Sequence, residues 1–280
     1  SFSSKGPVVW RVDSIIKQDI VAPGVAICAA QYDNWLPEKR CDSNHIAISG
    51  TSMATPHIAG VAALLLQKNP AWTPDVVKEA LMSTAESLGG LDAYTQGAGF
   101  VNSEKAVDPQ ILFEPSSLNL GIRINSDPGP GQSFTIKNIG NSSKGVKLRT
   151  DFPYTNRLGQ STFCLTPNSE EVVTFDLTGI ENIPLGNYSG YIEAKLWNDC
   201  QFSGGVLRDN KIPVGFSKYN IIELKIDSPQ YFPGEAEVKY GFLLEPLFIF
   251  FPPNFKHKFI SREPLEQKIR LQTLSFTPNL

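Results

Sequence analysis

The sequence predicts an α/β segment over residues 1–108 followed by an all-β sandwich over residues 109–226. Two observations carry this. Up to Asp108-Pro109 the apolar residues recur at helical spacing, as in Val76, Val77, Ala80 and Leu81. Beyond that dipeptide the helical stripes stop and apolar and polar residues alternate with period two, broken by Asn, Pro and Gly clusters. Residues 227–280 read either as an incomplete further β segment or as a disordered tail.

Each element has a local reason. Pro23-Gly24 supplies a turn after the apolar run that begins at Asp19. Ile46–Ser49 forms a short strand leading into Gly50-Thr51-Ser52. Gly50 is expected to mark a tight turn where a Cβ would clash. Thr51 and Ser52 open a helix whose first N–H groups have no intrahelical acceptor. The next dozen residues are apolar on nearly every face, which predicts a helix buried in a sizeable core. Lys68 suits the negative end of that helix. Thr73 is expected as the N-cap of a second helix, with Pro74 at its first position, Asp75 at its positive end and Gly89-Gly90 as its stop.

In the second part, Phe134 and Ile136 alternate with Ser133, Thr135 and Lys137, and Val173, Phe175 and Leu177 with Thr174 and Asp176. Tyr188, Ile192, Ala194 and Leu196 form one face of a longer strand, and Tyr191, Glu193, Lys195 and Trp197 the other. The breaks fall at Asn138–Asn141, Pro167-Asn168 and Pro184–Asn187. Short antiparallel strands at such spacing predict a sandwich. Tyr191 and Trp197 read as surface aromatics, either ordinary ones or a binding face.

A chain of 280 residues has room for a real core. Its net charge of −3, with no run of Lys or Arg, argues against nucleic acid and anionic membranes as partners. The apolar run Phe242–Pro253 is too short for a membrane span and contains Glu245 and prolines. Asn141-Ser142-Ser143 and Asn187-Tyr188-Ser189 fit the glycosylation sequon, which is compatible with export. The cysteines Cys28, Cys41, Cys164 and Cys200 allow three pairings, and Cys28–Cys41 with Cys164–Cys200 is the expected one; free thiols are the alternative. No Cys or His spacing suggests a metal site, and no clustered carboxylates suggest a calcium loop.

Ser52 is the candidate nucleophile. A serine at a helix start is ordinarily a cap, but the string Gly50-Thr51-Ser52-Met53-Ala54-Thr55-Pro56-His57 resembles the nucleophile segment of subtilisin-like serine proteases. Further segments match that family in its order: Phe2–Pro7, Asp19–Gly24, Ile46–Ser49, Asn69–Pro74 and Gly97–Asn102. The resemblance covers roughly the first 108 residues and implies the C-terminal part of a parallel-sheet catalytic domain. It implies a serine endopeptidase acting on protein or peptide substrates through an acyl-enzyme on Ser52, with Gly50 and Thr51 supporting the turn and the Ser52 N–H facing the oxyanion. The Asn-x-Gly-Asn turn and the run Pro184–Gly190 resemble fibronectin type III-like or immunoglobulin-like modules.

In that family the order is Asp, His, Ser, so both partners of Ser52 are expected upstream, as are the oxyanion Asn and any calcium site. His57 is expected to pack, His45 and His257 are weak substitutes for the base, and Asp19 and Asp42 are equally weak acids. The chain therefore reads as a piece that carries only the nucleophile, is inactive in isolation and derives from an extracellular or cell-surface protein. The alternative is a non-catalytic cell-surface β-sandwich binding protein with a degenerate protease segment.

Overall fold

The computed structural model describes residues 2–10, 13–31, 37–124, 129–152 and 156–219. The expected tail, 227–280, and the run Phe242–Pro253 lie outside the described residues. Ser1–Lys218 forms one compact unit.

The first part is a layer of helices with short strand pairs. β1 (Val8–Trp10) pairs antiparallel with β2 (Asp13–Ile15), and β3 (Ile27–Ala30) with β4 (His45–Ile48). Helix α1 (Thr51–Lys68) follows, then α2 (Pro74–Ser83), α3 (Ala93–Gln96) and α4 (Ser103–Val107). The parallel pairing expected of this part appears among the described residues as a bridge between Val21 and Phe100.

Local signals set the helix ends. The Thr73 hydroxyl accepts from the Val76 N–H, and Pro74 needs no acceptor for a missing N–H. The C-terminus of α2 lies earlier than the expected stop at Gly89-Gly90. Thr84 Oγ1 donates back to Ala80 O, and Glu86 leaves to exchange hydrogen bonds with Phe100, so the chain turns extended before the glycines.

Burial of α1 also differs from expectation. Only Leu65 is buried, while Leu64 is 51% and Leu66 41% exposed. One stripe of α1 packs on α2 and α4 through Leu65, Val77, Leu81 and Ala106, while Leu64 and Leu66 on its other faces stay exposed.

The second part consists, among the described residues, of a four-stranded and a five-stranded sheet. In the first, β5 (Ile111–Glu114) pairs with β7 (Gln132–Asn138), which pairs with β11 (Glu170–Leu177), which pairs with β9 (Asn156–Leu158). In the second, the order is β10 (Thr162–Leu165), β8 (Lys144–Thr150), β12 (Gly186–Trp197), β13 (Arg208–Tyr219) and β6 (Leu118–Ile124). The chain switches sheets at Pro115-Ser116-Ser117, between β5 and β6. The facing sides share one core, in which Phe113, Phe134, Phe175 and Phe216 are fully buried.

Asn138 shapes the first break in the alternation. Its amide reaches the carbonyls of Ser142, Leu165 and Thr166, and its Oδ1 accepts from the Gly140 N–H. A buried amide satisfied in this way holds two loops together.

The helical layer and the sandwich meet along a seam. β5 is buried on both sides: Ile111 and Phe113 enter the sandwich core, and Leu112 joins the helices. β13 likewise sends Ile212, Val214 and Phe216 inward, while Gly215 and Ser217 face the first part. Ser14 and Ser217 share a hydroxyl bond of 2.6 Å, Asn119 Oδ1 accepts from the Ile16 N–H at 2.7 Å, and Asn210 Nδ2 donates to Ser83 O at 3.1 Å. Lys211 bonds Ser87 and lies 4.2 Å from the Tyr191 ring centroid; its burial pulls the amine down to about 8.

Glu79 on α2 is nearly buried, and desolvation, reinforced by Glu114, raises its carboxyl to about 7. Between its ordinary value and about 7 the folded chain keeps a proton that the unfolded chain releases. Stability therefore falls as pH rises through that window and levels off above it. Glu79→Gln is expected to stabilise the fold at pH 8 by about 1 kcal/mol after allowance for screening, read as a higher urea midpoint, and to give no gain at pH 4. Equal effects at both pH values would contradict this account.

Candidate active site

Ser52 is the second residue of α1 and is exposed. The helix begins behind two interlocked glycines. The Gly50 N–H donates to Gly24 O at 2.8 Å, and Met53 N turns back to Gly50 O at 3.0 Å. The Ala26 N–H donates to Ser49 Oγ at 2.8 Å, a second tie between the same two turns. The Thr51 and Ser52 N–H groups stand at the positive end of an 18-residue helix, where negative oxygen is favoured.

The steric demand for glycine falls one turn away from where the sequence puts it. A Cβ on Gly50 would make only ordinary contacts, the nearest 3.5 Å from Met53 Sδ. A Cβ on Gly24 would stand 2.8 Å from Gly50 O and 3.3 Å from Ala54 Cβ. The close backbone approach that seats the start of α1 therefore depends on Gly24.

Pro56, inside α1, has no N–H for the Ser52 carbonyl. Thr55 Oγ1 donates to Thr51 O at 3.1 Å, and the His57 ring turns Nδ1 to Met53 O at 2.9 Å. His57 is thus tied to its own helix.

His45 pairs with Asp42, Nδ1 to carboxylate at 2.8 Å, on the exposed hairpin. The Asn44 N–H first, and then His45, hold the Asp42 carboxyl below its ordinary value. His45 starts β4 and Ile48 ends it, so about 10 Å of strand separates this pair from the end nearest Ser52. Asp19 is engaged by Lys78 at 3.1 Å. The structure therefore brings none of His45, His57, Asp19 and Asp42 to Ser52, and His257 lies outside the described residues.

Cys28 is bonded to Cys41, with Cα atoms 6.2 Å apart, and this cross-links β3 to the segment that precedes β4 and Ser52. Cys164 is bonded to Cys200, with Cα atoms 5.2 Å apart, and joins β10 to the loop after β12. Among the described residues no group of three or more His, Cys, Asp or Glu could hold a metal ion, and no helix is long and apolar enough to cross a membrane.

Tyr191 differs from its expected surface position. It is only 5% exposed, and its hydroxyl donates to Gly97 O at 2.8 Å. Burial, with Asp151 and Asp92 nearby, pushes its phenol well above the ordinary value. Alternation alone assigned it to the outer face of β12 and could not show that α3 covers that face. Trp197 is half-buried and meets Phe202 edge-on at 5.3 Å.

The model of the subtilase family matches residues 1–104. Serine protease AprX of Bacillus subtilis is 45% identical over 115 residues, which cover 39% of this chain and 25% of that protein. Subtilisin-like protease SBT4.8 of Arabidopsis thaliana is 41% identical over 124 residues, which cover 41% of this chain and 17% of that protein. The chain thus spans a quarter or less of the length of these relatives. A solved structure of SSP-19, an MSP-domain protein-like family member of Caenorhabditis elegans, covers 38% of this chain and 97% of its own at 11% identity; its TM-score of 0.31 carries no argument. The motifs around Ser52, the Gly24–Gly50 contact and these matches agree: residues 1–104 of this chain are similar to the subtilase family over the segment that holds Ser52.

Proposed function

We propose that the protein carrying this chain is a serine endopeptidase in which Ser52 is the nucleophile. The observation that carries the reading is an exposed Ser52 hydroxyl at the N-terminus of α1, seated behind Gly24 and Gly50 in a segment of the subtilase family. In this reading residues 1–108 are the C-terminal part of the catalytic domain and residues 109–226 an accessory sandwich. Ser52 Oγ attacks the scissile carbonyl while a base takes its proton, the amine leaves, and water releases the acyl group. The Ser52 N–H helps bind the oxyanion, supported by the helix dipole. In this reading the base and its orienting carboxylate come from elsewhere in the gene product, and the 280-residue chain alone is expected not to be an efficient protease. Both disulfides suit an exported protein.

A fluorophosphonate probe tests this on the whole gene product that contains the chain. Labelling of Ser52 and peptide hydrolysis are both expected, and both are expected to vanish in Ser52→Ala. The isolated chain is expected not to digest casein; digestion lost on Ser52→Ala would place the base within these residues. A gene product that neither reacts with the probe nor cleaves peptides would overturn the reading in favour of a binding role.

A further inference from the structure

We propose that Tyr191, on the sandwich, is a positioning residue for Ser52, acting through a continuous ladder of backbone hydrogen bonds. The inference rests on the protease reading for its catalytic meaning, but its geometry stands independently.

The ladder begins at the seam. Tyr191 OH donates to Gly97 O at 2.8 Å in a buried setting, and Lys211 covers its ring. Tyr94, three residues earlier on α3, reaches the other way and donates to Phe216 O on β13 at 3.1 Å. Its hydroxyl takes the space that a Cβ on Gly215 would need, only 2.7 Å away. The α3–Gly97 segment is therefore gripped by the adjacent strands β12 and β13 of the five-stranded sheet.

That segment in turn fixes the strand leading to the nucleophile turn. The Ala98 N–H donates to Asp19 O, the Val21 N–H to Gly99 O, and the Val101 N–H to Val21 O, each at 2.9 Å. Two and three residues beyond Val21 stand Pro23 and Gly24. Gly24 O takes the Gly50 N–H at 2.8 Å, and Ser52 follows. Every link is a direct hydrogen bond or a run of one to three residues, so displacement of Gly97 has a short mechanical route to the start of α1. The hydroxyl of Tyr191 is the one polar atom that β12 contributes to this ladder among the contacts described.

Amide hydrogen exchange, read residue by residue on the full chain, tests this without any catalysis. Tyr191→Phe keeps the ring and removes only the donor. Loss of one such bond is expected to speed exchange about fivefold at Val21, Val101 and Gly50, with amides of the distant β7–β11 pair unchanged. Acceleration confined to Gly97–Gly99, with Val21 and Gly50 unchanged, would overturn the proposal, as would uniform acceleration everywhere. If Tyr191→Phe does not fold, Tyr94→Phe loosens the same segment from its other end and must give the same pattern. In the whole gene product, Tyr191→Phe is expected to slow fluorophosphonate capture at Ser52 with KM for peptide unchanged. If exchange responds but even the wild-type protein ignores the probe, the ladder stands and the protease reading fails. If the probe reacts and exchange at Gly50 is unmoved, the reverse holds.

Discussion

Gly97→Ala is expected to cost several kcal/mol of stability, about 4 or more, enough to unfold much of a chain of ordinary stability. Gly97 has φ near 58° and ψ near −131°, a region that residues with a Cβ rarely enter. A Cβ there would stand 2.0 Å from Gln18 O and 2.5 Å from Asp19 O. Neither oxygen is free to retreat, because both belong to the backbone on which residues 97–101 are hydrogen-bonded. Gly60→Ala is the matched control. Gly60 lies inside α1 with nothing within 4 Å of its Cβ position, so alanine there is expected to raise stability by about 0.5–1 kcal/mol. Urea midpoints of the two variants decide the matter. A Gly97→Ala midpoint close to that of wild type would show that residues 17–19 do not lie against residues 96–99.

The same comparison explains what the sequence could convey. Thr73-Pro74-Asp75 has local chemistry that admits few alternatives, and α2 starts there. The inner faces of the sandwich were also legible, because Phe134, Ile136, Val173 and Phe175 are apolar at every second place and all are buried. The outer face of β12 and β13 was not. It carries Tyr191, read from alternation as surface-facing, together with Lys211, Gly215 and Ser217, and each is buried against the first part of the chain. Polar residues can line a seam when each finds a partner there, and a one-strand pattern contains no information about that partner.

The candidate site divides in the same way. The helix that Ser52 opens was legible from a long motif. The role of Gly24 was not, because its close approach is to Gly50, 26 positions away in the chain. The apolar character of α1 predicted a buried helix, and that expectation fails: one stripe packs on α2 and α4, and only Leu65 is buried. The remaining apolar faces are exposed because burial needs a covering element as well as an apolar helix.

Reduction of the disulfides is expected to have the second large effect, and an unequal one. Cys164–Cys200 closes a loop with a sequence separation of 36 residues, and Cys28–Cys41 one of 13. By loop-closure entropy the first contributes about 4 kcal/mol and the second about 3 kcal/mol. The location of each bond adds to the contrast. Cys164 belongs to β10, an edge strand of the five-stranded sheet, so its bond holds that edge to the loop after β12. Cys28 belongs to a two-stranded hairpin, which has little independent stability without a cross-link. Cys164→Ala with Cys200→Ala should therefore lower the global urea midpoint most. Cys28→Ala with Cys41→Ala should chiefly loosen β3 and β4 next to Ser52, with a smaller change in the midpoint. Thiol labelling of the unreduced protein in denaturant, combined with midpoints before and after reduction, separates the cases. Four thiols that label without reductant, and a midpoint that reductant does not move, would remove both cross-links and with them the structural support for an exported protein.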